Sequence, residues 1–448
     1  MPSTQAVIEQ CEADDIALVR VLYTDSGGVT RGRVVPANDI EGVLTEGANL
    51  AQVQQAFTAT EVPVPDSAVG GPVGEVRLIP DPDTFTTLPY ADRGAVMLAN
   101  LHELDGDYWA YDPRSNLVEF LEEFPYEAVS AFESEFYLAK ETDEGRETFD
   151  QSGCFAADGM QNTHDLILEM VDALRAQGME LATYYPEYGP GQQELVVKHS
   201  PGITAADQHI LFKLTVKAVA ERHGLSAVFS PKPFKNKPGS GCHLHISLWD
   251  GDDNVFYDPD AESRYGVSGT ARHFIGGILE HGPAILALTA PSVVSYTRLQ
   301  PHSWASAFTC WGHDNREAMV RIPSASASNP EGSTRIEFKA IDNTANPYHA
   351  LVALLAAGQD GIDREIDPGA PLEADPSALS NAERAERGIE RYPETLAGAL
   401  DALEADDVLR EALGEPLHAS YLAVKRYLWN QFNSSVTDWE LEHQTDPF

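Results

Sequence analysis

Arg335, Glu337 and Lys339 sit at i, i+2 and i+4 in the run TRIEFKAI, within the stretch REAMVRIPSASASNPEGSTRIEFKAIDNTANPY from Arg316 to Tyr348. The run reads as a strand, and side chains two apart on a strand share a face. One face then carries a cation, a carboxylate and a second cation, while Ile336 and Phe338 point the other way. Arg316 and Arg321 lie just upstream and add positive charge. Cations interleaved with a metal-capable carboxylate suit a phosphate and a divalent ion held together. An ion-pair ladder on a solvated face would use the same residues.

Three further groups change the balance. Glu133 and Glu135 face one way in YEAVSAFESEFYLA, between Phe132 and Phe136. PEYGPGQQE holds Glu187 and Glu194 on either side of a Gly-Pro-Gly turn that could aim both at one point. GSGCHLH holds His243 and His245, again neighbours on one face. Each group alone also fits a solvated strand, a surface loop or a structural histidine pair. Together, Glu133, Glu135, Glu187, Glu194, His243 and Glu337 supply mostly oxygen ligands, which suit Mg²⁺ or Mn²⁺ rather than zinc. No cysteine or third histidine is spaced for zinc. Arg316, Arg321, Arg335 and Lys339 are the cations needed to hold phosphates and a carboxylate. With no GxxxxGK[ST] loop, this is nucleotide chemistry outside the P-loop class.

The elements that must position these groups are legible in outline. Residues 16–36 read as a hairpin around Asp25-Ser26-Gly27-Gly28. EVRLIPD and AVMLANL add two strands, and 57–73 reads as loop. DPR at 112–114 opens a second unit with the helix SNLVEFLEEF. THDLILEMVDALRAQG reads as an amphipathic helix with Leu166, Ile167, Met170, Val171 and Leu174 on its stripe, capped by Thr163 and stopped by Gly178. Residues 204–223, 270–288 and 348–359 read as helices, SGCHLHISLWD as a strand, SASAS as a loop, and the tail from about 393 as helical. The domains expected are 1–104 and 105–448.

The chain has 448 residues, 43% of them hydrophobic, enough for a large core. Seventy acidic against 30 basic residues leave a net charge of −40, which excludes a nucleic-acid partner. Self-repulsion at that charge is relieved by salt, so a high-salt cytoplasm fits. No apolar run is long enough for a membrane helix, and the start lacks a basic region followed by an apolar one, which argues for the cytoplasm. Cys11, Cys154, Cys242 and Cys310 are far apart and fit a reduced compartment.

ESE, PEYGPGQQE, PKPFKNKPGSGCHLHISLW, SYTRLQP, NREAMVRIP and RIEFKAIDNTANPYHALVALLAAGQDGID occur in the order and rough spacing of glutamine synthetases. The resemblance covers about residues 16–445, including DPR and VKRYLWNQF…VTDWE. It implies an α+β chain: an N-terminal β-grasp domain, then a catalytic domain with a curved antiparallel sheet and flanking helices. It also implies a homo-oligomer, a dodecamer of two hexameric rings with active sites between subunits, using ATP and two to three Mg²⁺ or Mn²⁺ ions per site. Carried over, Glu135, Glu187 and Glu194 match the ligands of one metal, and Glu133, His243 and Glu337 those of a second beside the ATP phosphates. Arg298, with Gly239 nearby, matches the arginine that takes the α-carboxylate of glutamate. Arg316, Arg321 and Arg335 match the phosphate and substrate arginines; His245 and Ser247 fall where the family contacts ATP. The implied reaction phosphorylates the γ-carboxylate of glutamate, and an amine then displaces phosphate.

The acceptor end departs from this pattern. The ammonium-binding Asp of the family's N-terminal domain falls at Ala51, in EGANLAQVQQAF. The flap glutamate falls at Trp304, and a tyrosine of the ammonium pocket at Cys154. A buried NH₄⁺ needs several oxygen partners, and Glu187 alone is a poor replacement. The indole of Trp304 could pack on an alkyl chain or hold an alkylammonium. The expected enzyme is a γ-glutamyl ligase for an organic amine such as a polyamine, ethanolamine or a monoamine. A true glutamine synthetase using ammonium and a catalytically silent family member are the alternatives. Lys339 stands where the family has an arginine, and Pro238 where it has an asparagine. No adenylylation-site context is evident near 380–395.

Overall fold

A computed structural model of the chain describes residues 3–143, 145–261 and 265–444. Two sheets organise it. The first holds β1 (Leu18–Thr24), β2 (Thr30–Pro36), β3 (Ala48–Ala51), β4 (Glu75–Pro80), β5 (Thr86–Thr87) and β6 (Gly94–His102) in the order β2-β1-β6-β4-β3, with β5 on β6. β1 runs parallel to β6. Its core is Val19, Val21, Val76, Leu78, Met97 and Leu101, alternate residues turned to one side. The expected 16–36 hairpin is β1 and β2, in register from Leu18↔Pro36 to Thr24↔Thr30. Its turn carries Gly28 at φ +88°, where a Cβ would meet the Thr344 carbonyl at 2.8 Å. Only glycine combines that backbone with so close an approach. The turn is thereby seated on the 342–346 loop, where Asn346 Nδ2 donates to the Asp25 carbonyl at 3.0 Å.

The second sheet is longer: β7 (Glu127–Thr142), β8 (Gly145–Thr148), β9 (Leu181–Pro186), β10 (Gln192–Val197), β11 (Ser200–Pro201), β12 (Ser226–Val228), β13 (Cys242–Asp250), β14 (Asp253–Asn254), β15 (Trp311–His313), β16 (Val320–Ile322) and β17 (Ile336–Phe338). The main path is β15-β16-β17-β13-β7-β10-β9. The expectation of an antiparallel sheet needs correction here: β15 and β16 pair in parallel, so the curved sheet is mixed. A few residues of looped chain between them carry the strand back to its own start, which no hairpin turn can do.

Asp112 caps the helix Pro113–Glu123 by accepting from Ser115 N–H at 3.1 Å, with Pro113 in the first turn. Arg114 is buried and joins the two units: it grips Asp207 at 3.0 and 2.8 Å, Asn100 at 2.7 Å and Asp81 at 2.8 Å. Helices Ala157–Ala176 and Thr204–Arg222 pack their apolar stripes under β7, burying Leu166, Ile167, Met170 and Leu174 with Phe132 and Phe136. Thr163 lies inside the first of these helices rather than at its cap. Its hydroxyl donates back to the Gly159 carbonyl at 2.8 Å and pairs with Tyr184. The single helix expected over 270–288 is two, Gly269–Glu280 and Gly282–Thr289. They break at His281, where Pro283 brings no N–H to continue the first. The strand read in TRIEFKAI shrinks to Ile336–Phe338, and a helix at Thr4–Ala13 had no counterpart in the reading. Among the described residues no helix is long and apolar enough to cross a membrane.

Candidate active site

The register of the second sheet builds the site. β10 opposes β7 with Glu194↔Glu135, and β13 opposes β7 with His243↔Glu133. β13 also opposes β17 with His245↔Glu337, and β16 opposes β17 with Arg321↔Glu337. Residues directly opposite one another share a face. One face thus collects the acids and imidazoles, while Phe132, Ser134 and Phe136 turn to the helices behind.

Two ligand groups result. Glu135, Glu187 and Glu194 bring carboxylate oxygens within 4.8 Å of one another, and two carboxylate oxygens of Glu133 and Glu337 lie as close to an imidazole nitrogen of His245. His243 belongs beside the second group as well: its Nδ1 lies 3.4 Å from Glu133 and 3.2 Å from Glu337. His245 Nε2 is also 3.4 Å from Glu133. Both imidazoles therefore reach the carboxylates to which the sequence reading assigned only His243, and Arg335 Nε donates to the far side of His245 at 3.1 Å.

The two groups differ in how their charge is met. Burial would raise the Glu133 carboxyl, but hydrogen bonds from His243 and His245 outweigh it and hold the group well below the carboxylate range. Burial likewise opposes ionisation of Glu337; Lys339 at 3.4 Å and the neighbouring histidines keep it charged, and Arg321 Nη1 donates to it at 2.7 Å. Among the described residues no ion pair reaches Glu135, Glu187 or Glu194. Burial first, then the charge of Glu135, pushes Glu187 up to about 7. Burial, then Glu133 and Glu135, pushes Glu194 up as well. Three acids, Glu194 buried and Glu135 and Glu187 half-buried, converge without a cation among the described residues and either hold protons or bind a divalent ion. Hard oxygen donors at this spacing fit Mg²⁺ or Mn²⁺.

The remaining assigned residues are placed as follows. Arg298 is 5% exposed; its Nη2 donates to the Lys339 carbonyl at 3.2 Å and its Nη1 has no partner among the described residues. A Cβ at Gly239 would stand 2.8 Å from Arg298 Cγ, and one at Gly241 would stand 2.7 Å from its Nη2, so these two glycines leave room for the arginine's stem and its guanidinium. Lys339 Nζ is 3.2 Å from His243 Nε2. Ser247 continues the face of His245 along β13, and its hydroxyl accepts from Trp249 Nε1 at 3.0 Å. Arg316 is exposed before β16. Cys154 is exposed, and its thiol is raised by desolvation and by the charge of Glu187. Trp304 is 66% exposed, on a strap next to Arg298. Ala51 ends β3 opposite Glu75 in the first sheet, and no described hydrogen bond or ion pair joins it to these groups.

Sequence reasoning missed several neighbours. Gln192 Nε2 donates to Glu135 at 3.0 Å and Gly241 N–H donates to it at 2.9 Å. Tyr185 hydroxyl donates to Glu194. Gln192 stands two before Glu194, so the same-face rule could have found it. Tyr185 faces Glu194 only through the β9–β10 register. Phe155 is 54% exposed and lies 5.1 Å from the Tyr185 ring.

The chain matches two family models, Glutamine synthetase N-terminal domain over residues 2–109 and Glutamine synthetase, catalytic domain over residues 110–444. It is 35% identical to the glutamine synthetase of Halobacterium salinarum, covering 99% of this chain and 97% of that one. It is 33% identical to the glutamine synthetase of Methanocaldococcus jannaschii, covering 98% and 97%. Among solved structures, GmaS in complex with ADP superposes with a TM-score of 0.87 at 30% identity over 100% of both chains. A glutamine synthase homolog superposes with a TM-score of 0.83 at 32% identity over 95% and 97%. An acid-lined sheet face, a buried arginine beside it and these likenesses over the whole length agree: the chain belongs to the glutamine synthetase family and is an ATP-dependent ligase.

Proposed function

We propose that this ligase joins the γ-carboxylate of glutamate to an organic amine rather than to ammonium. The observation that carries the reading is Trp304: an aromatic side chain, 66% exposed, stands on the strap beside Arg298 where the family pattern expects a carboxylate. Phe155 and Cys154, next to Tyr185 and Glu187, add apolar surface near the trio of acids. An alkyl or aromatic amine gains from such walls, whereas ammonium needs oxygen partners.

In this reading Arg298 holds the α-carboxylate of glutamate. Arg321, Arg335 and Lys339 neutralise the phosphates of ATP as the γ-phosphoryl group passes to the side-chain carboxylate and ADP leaves. Glu135, Glu187 and Glu194 would hold one divalent ion, and Glu133, Glu337 and the imidazoles of His243 or His245 a second. Such ions supply charge neutralisation and orientation of the phosphates. The amine nitrogen then attacks the acyl carbon, the bond to phosphate breaks, and Glu187 accepts the proton the amine loses. Ala51 borders this pocket only when a second copy of the chain supplies it, as the family's double rings imply.

The relatives named glutamine synthetase favour a second reading, ammonium as the acceptor. Phosphate release with ATP, glutamate and a panel of amines separates the two. An alkylamine or diamine is expected to exceed ammonium in kcat/KM; ammonium as the best acceptor overturns the proposal.

A further inference from the structure

Behind Trp304 stands an acid that no part of the mechanism above uses. Glu317 is 8% exposed. Its Oε1 accepts the Trp304 backbone N–H at 2.7 Å, and its Oε2 has no partner among the described residues. A buried carboxylate satisfied on one oxygen is a costly way to fill space, so its one contact is the place to look for its role.

That contact holds a strained segment. His302, Trp304 and Ser306 are non-glycine residues at φ +60°, +57° and +67°. Alternate left-handed residues cost about 1 kcal/mol or more apiece, and such a path persists only where fixed contacts impose it. The strap from Arg298 to Ser306 has them. Arg391 Nη1 donates to the Ala307 carbonyl at 2.7 Å, His302 Nδ1 lies 2.9 Å from Asp375, and Ser306 hydroxyl lies 2.6 Å from Tyr392 hydroxyl. At Trp304 itself the indole is exposed, so the backbone bond to Glu317 fixes it rather than packing of the ring. Glu317 is in turn braced: its N–H donates to Asn315 Oδ1 at 3.0 Å, and Met319, two residues on, accepts the Lys339 N–H at 2.9 Å. The acid thus ties the strap to the end of the sheet that carries Lys339.

We propose that Glu317 is a positioning residue for the acceptor amine, clamping the strap so that Trp304 stands where it selects among amines. This rests on the reading of Trp304 as a wall of the acceptor pocket. Asp375, His302 and Lys339 are the charged groups around Glu317, and none replaces its bond to the strap.

The test compares Glu317→Gln, which keeps an oxygen acceptor, with Glu317→Met, which keeps the volume and loses it, alone and combined with Trp304→Ala in the full chain. Ammonium, alkylamines and a diamine serve as acceptors, and limited proteolysis between 299 and 306 reports the strap. Loss of one buried acceptor is expected to cut kcat/KM for the preferred amine about tenfold in Glu317→Met, mostly through amine KM, with KM for ATP and glutamate within about twofold. Glu317→Gln should stay within about threefold of the parent, because an amide oxygen still accepts. Glu317→Met should be cleaved faster in the strap and should add nothing to the loss in Trp304→Ala, since both act through one side chain. Losses that multiply in the double variant, or KM shifts for ATP as large as for the amine, overturn the proposal. Amine constants moved by Trp304→Ala alone overturn the clamp and leave the pocket reading standing. A faster-cleaved strap with amine constants unmoved in both single variants overturns the pocket reading, and the selectivity role with it.

Discussion

Among the described residues, two regions gather a histidine and two carboxylates at metal-like spacing, and their charge is met in different ways. The first is the sheet face of Glu133, Glu135, Glu187, Glu194, His243, His245 and Glu337. The second is the break between helices at His281, where Nε2 lies 3.0 Å from Asp360 and Nδ1 lies 2.7 Å from Asp406. Glu280, His281 and Asp360 have ligand atoms as close together as Glu135, Glu187 and Glu194. The difference is compensation. At the helix break Arg364 donates at 2.7 Å to both Glu280 and Asp360, and His281 stands between two acids that pull its pKa up. That node is already neutralised by its own cations. On the sheet face the trio of Glu135, Glu187 and Glu194 has none among the described residues, and two of its members are pushed towards holding protons. Residue types at metal-like spacing are common; buried acids without a cation are what ask for an ion.

Breaking the contrast at its strongest point means removing the ion. A chelator, or Glu135→Gln, is expected to lower glutamate-dependent phosphate release about a thousandfold or more, because phosphoryl transfer loses its charge neutralisation. Phosphate assays against added Mg²⁺ or Mn²⁺ check this, and activity surviving chelation would place both clusters in one class. The next effect sits at the other node and acts on stability. Burial lowers the pKa of His281, but Asp406 and Asp360 outweigh it and raise it from 6.5 to about 8 in the folded chain. A raised folded pKa stabilises fully below the unfolded value and is lost as pH rises through the folded one. Unfolding free energy should therefore fall by about 2 kcal/mol in all between about pH 5 and 9.5 at this site, roughly 1.3 kcal/mol of it between pH 6.5 and 8. Denaturant midpoints across that window measure it, and His281→Asn should remove this component.

A smaller effect sharpens the border of the proposed site. Trp304→Ala should lower kcat/KM for the preferred organic amine about tenfold and leave ammonium use unchanged or higher. Trp304→Glu combined with Ala51→Asp should raise ammonium use, read in the same phosphate assay. The smallest effect is a near-absence: Asp360→Asn should leave turnover within about twofold, since it touches nothing on the sheet face. A larger loss would join the two regions functionally.

Much of the site was open to reading because strand periodicity is local. Glu133 with Glu135, His243 with His245, and Glu337 with Lys339 share faces by spacing alone, whichever strands they pair with. The 16–36 hairpin followed from turn chemistry in the same way, whereas the helix read from Ser115 starts earlier, at Pro113 with Asp112 as its cap. What escaped depends on register and on chain returning from a distance. His245 meets Glu337, and Tyr185 meets Glu194, only because β13 lies on β17 and β9 on β10. The parallel β15–β16 pair and the burial of Glu317 against Trp304 have no local signature. Thr163 looked like a cap because a helix start and a helix interior use the same hydroxyl, and the chain upstream happened to be helical too.

From residue order alone came the candidate groups for the chemistry, and the surplus of acids behind the expectation of salt dependence. Which imidazole faces which carboxylate, which acids lack a cation, and what anchors Trp304 were settled by tertiary structure. The reason is physical: side-chain type and i, i+2 spacing are properties of a segment, whereas charge compensation and desolvation depend on every segment packed around a group.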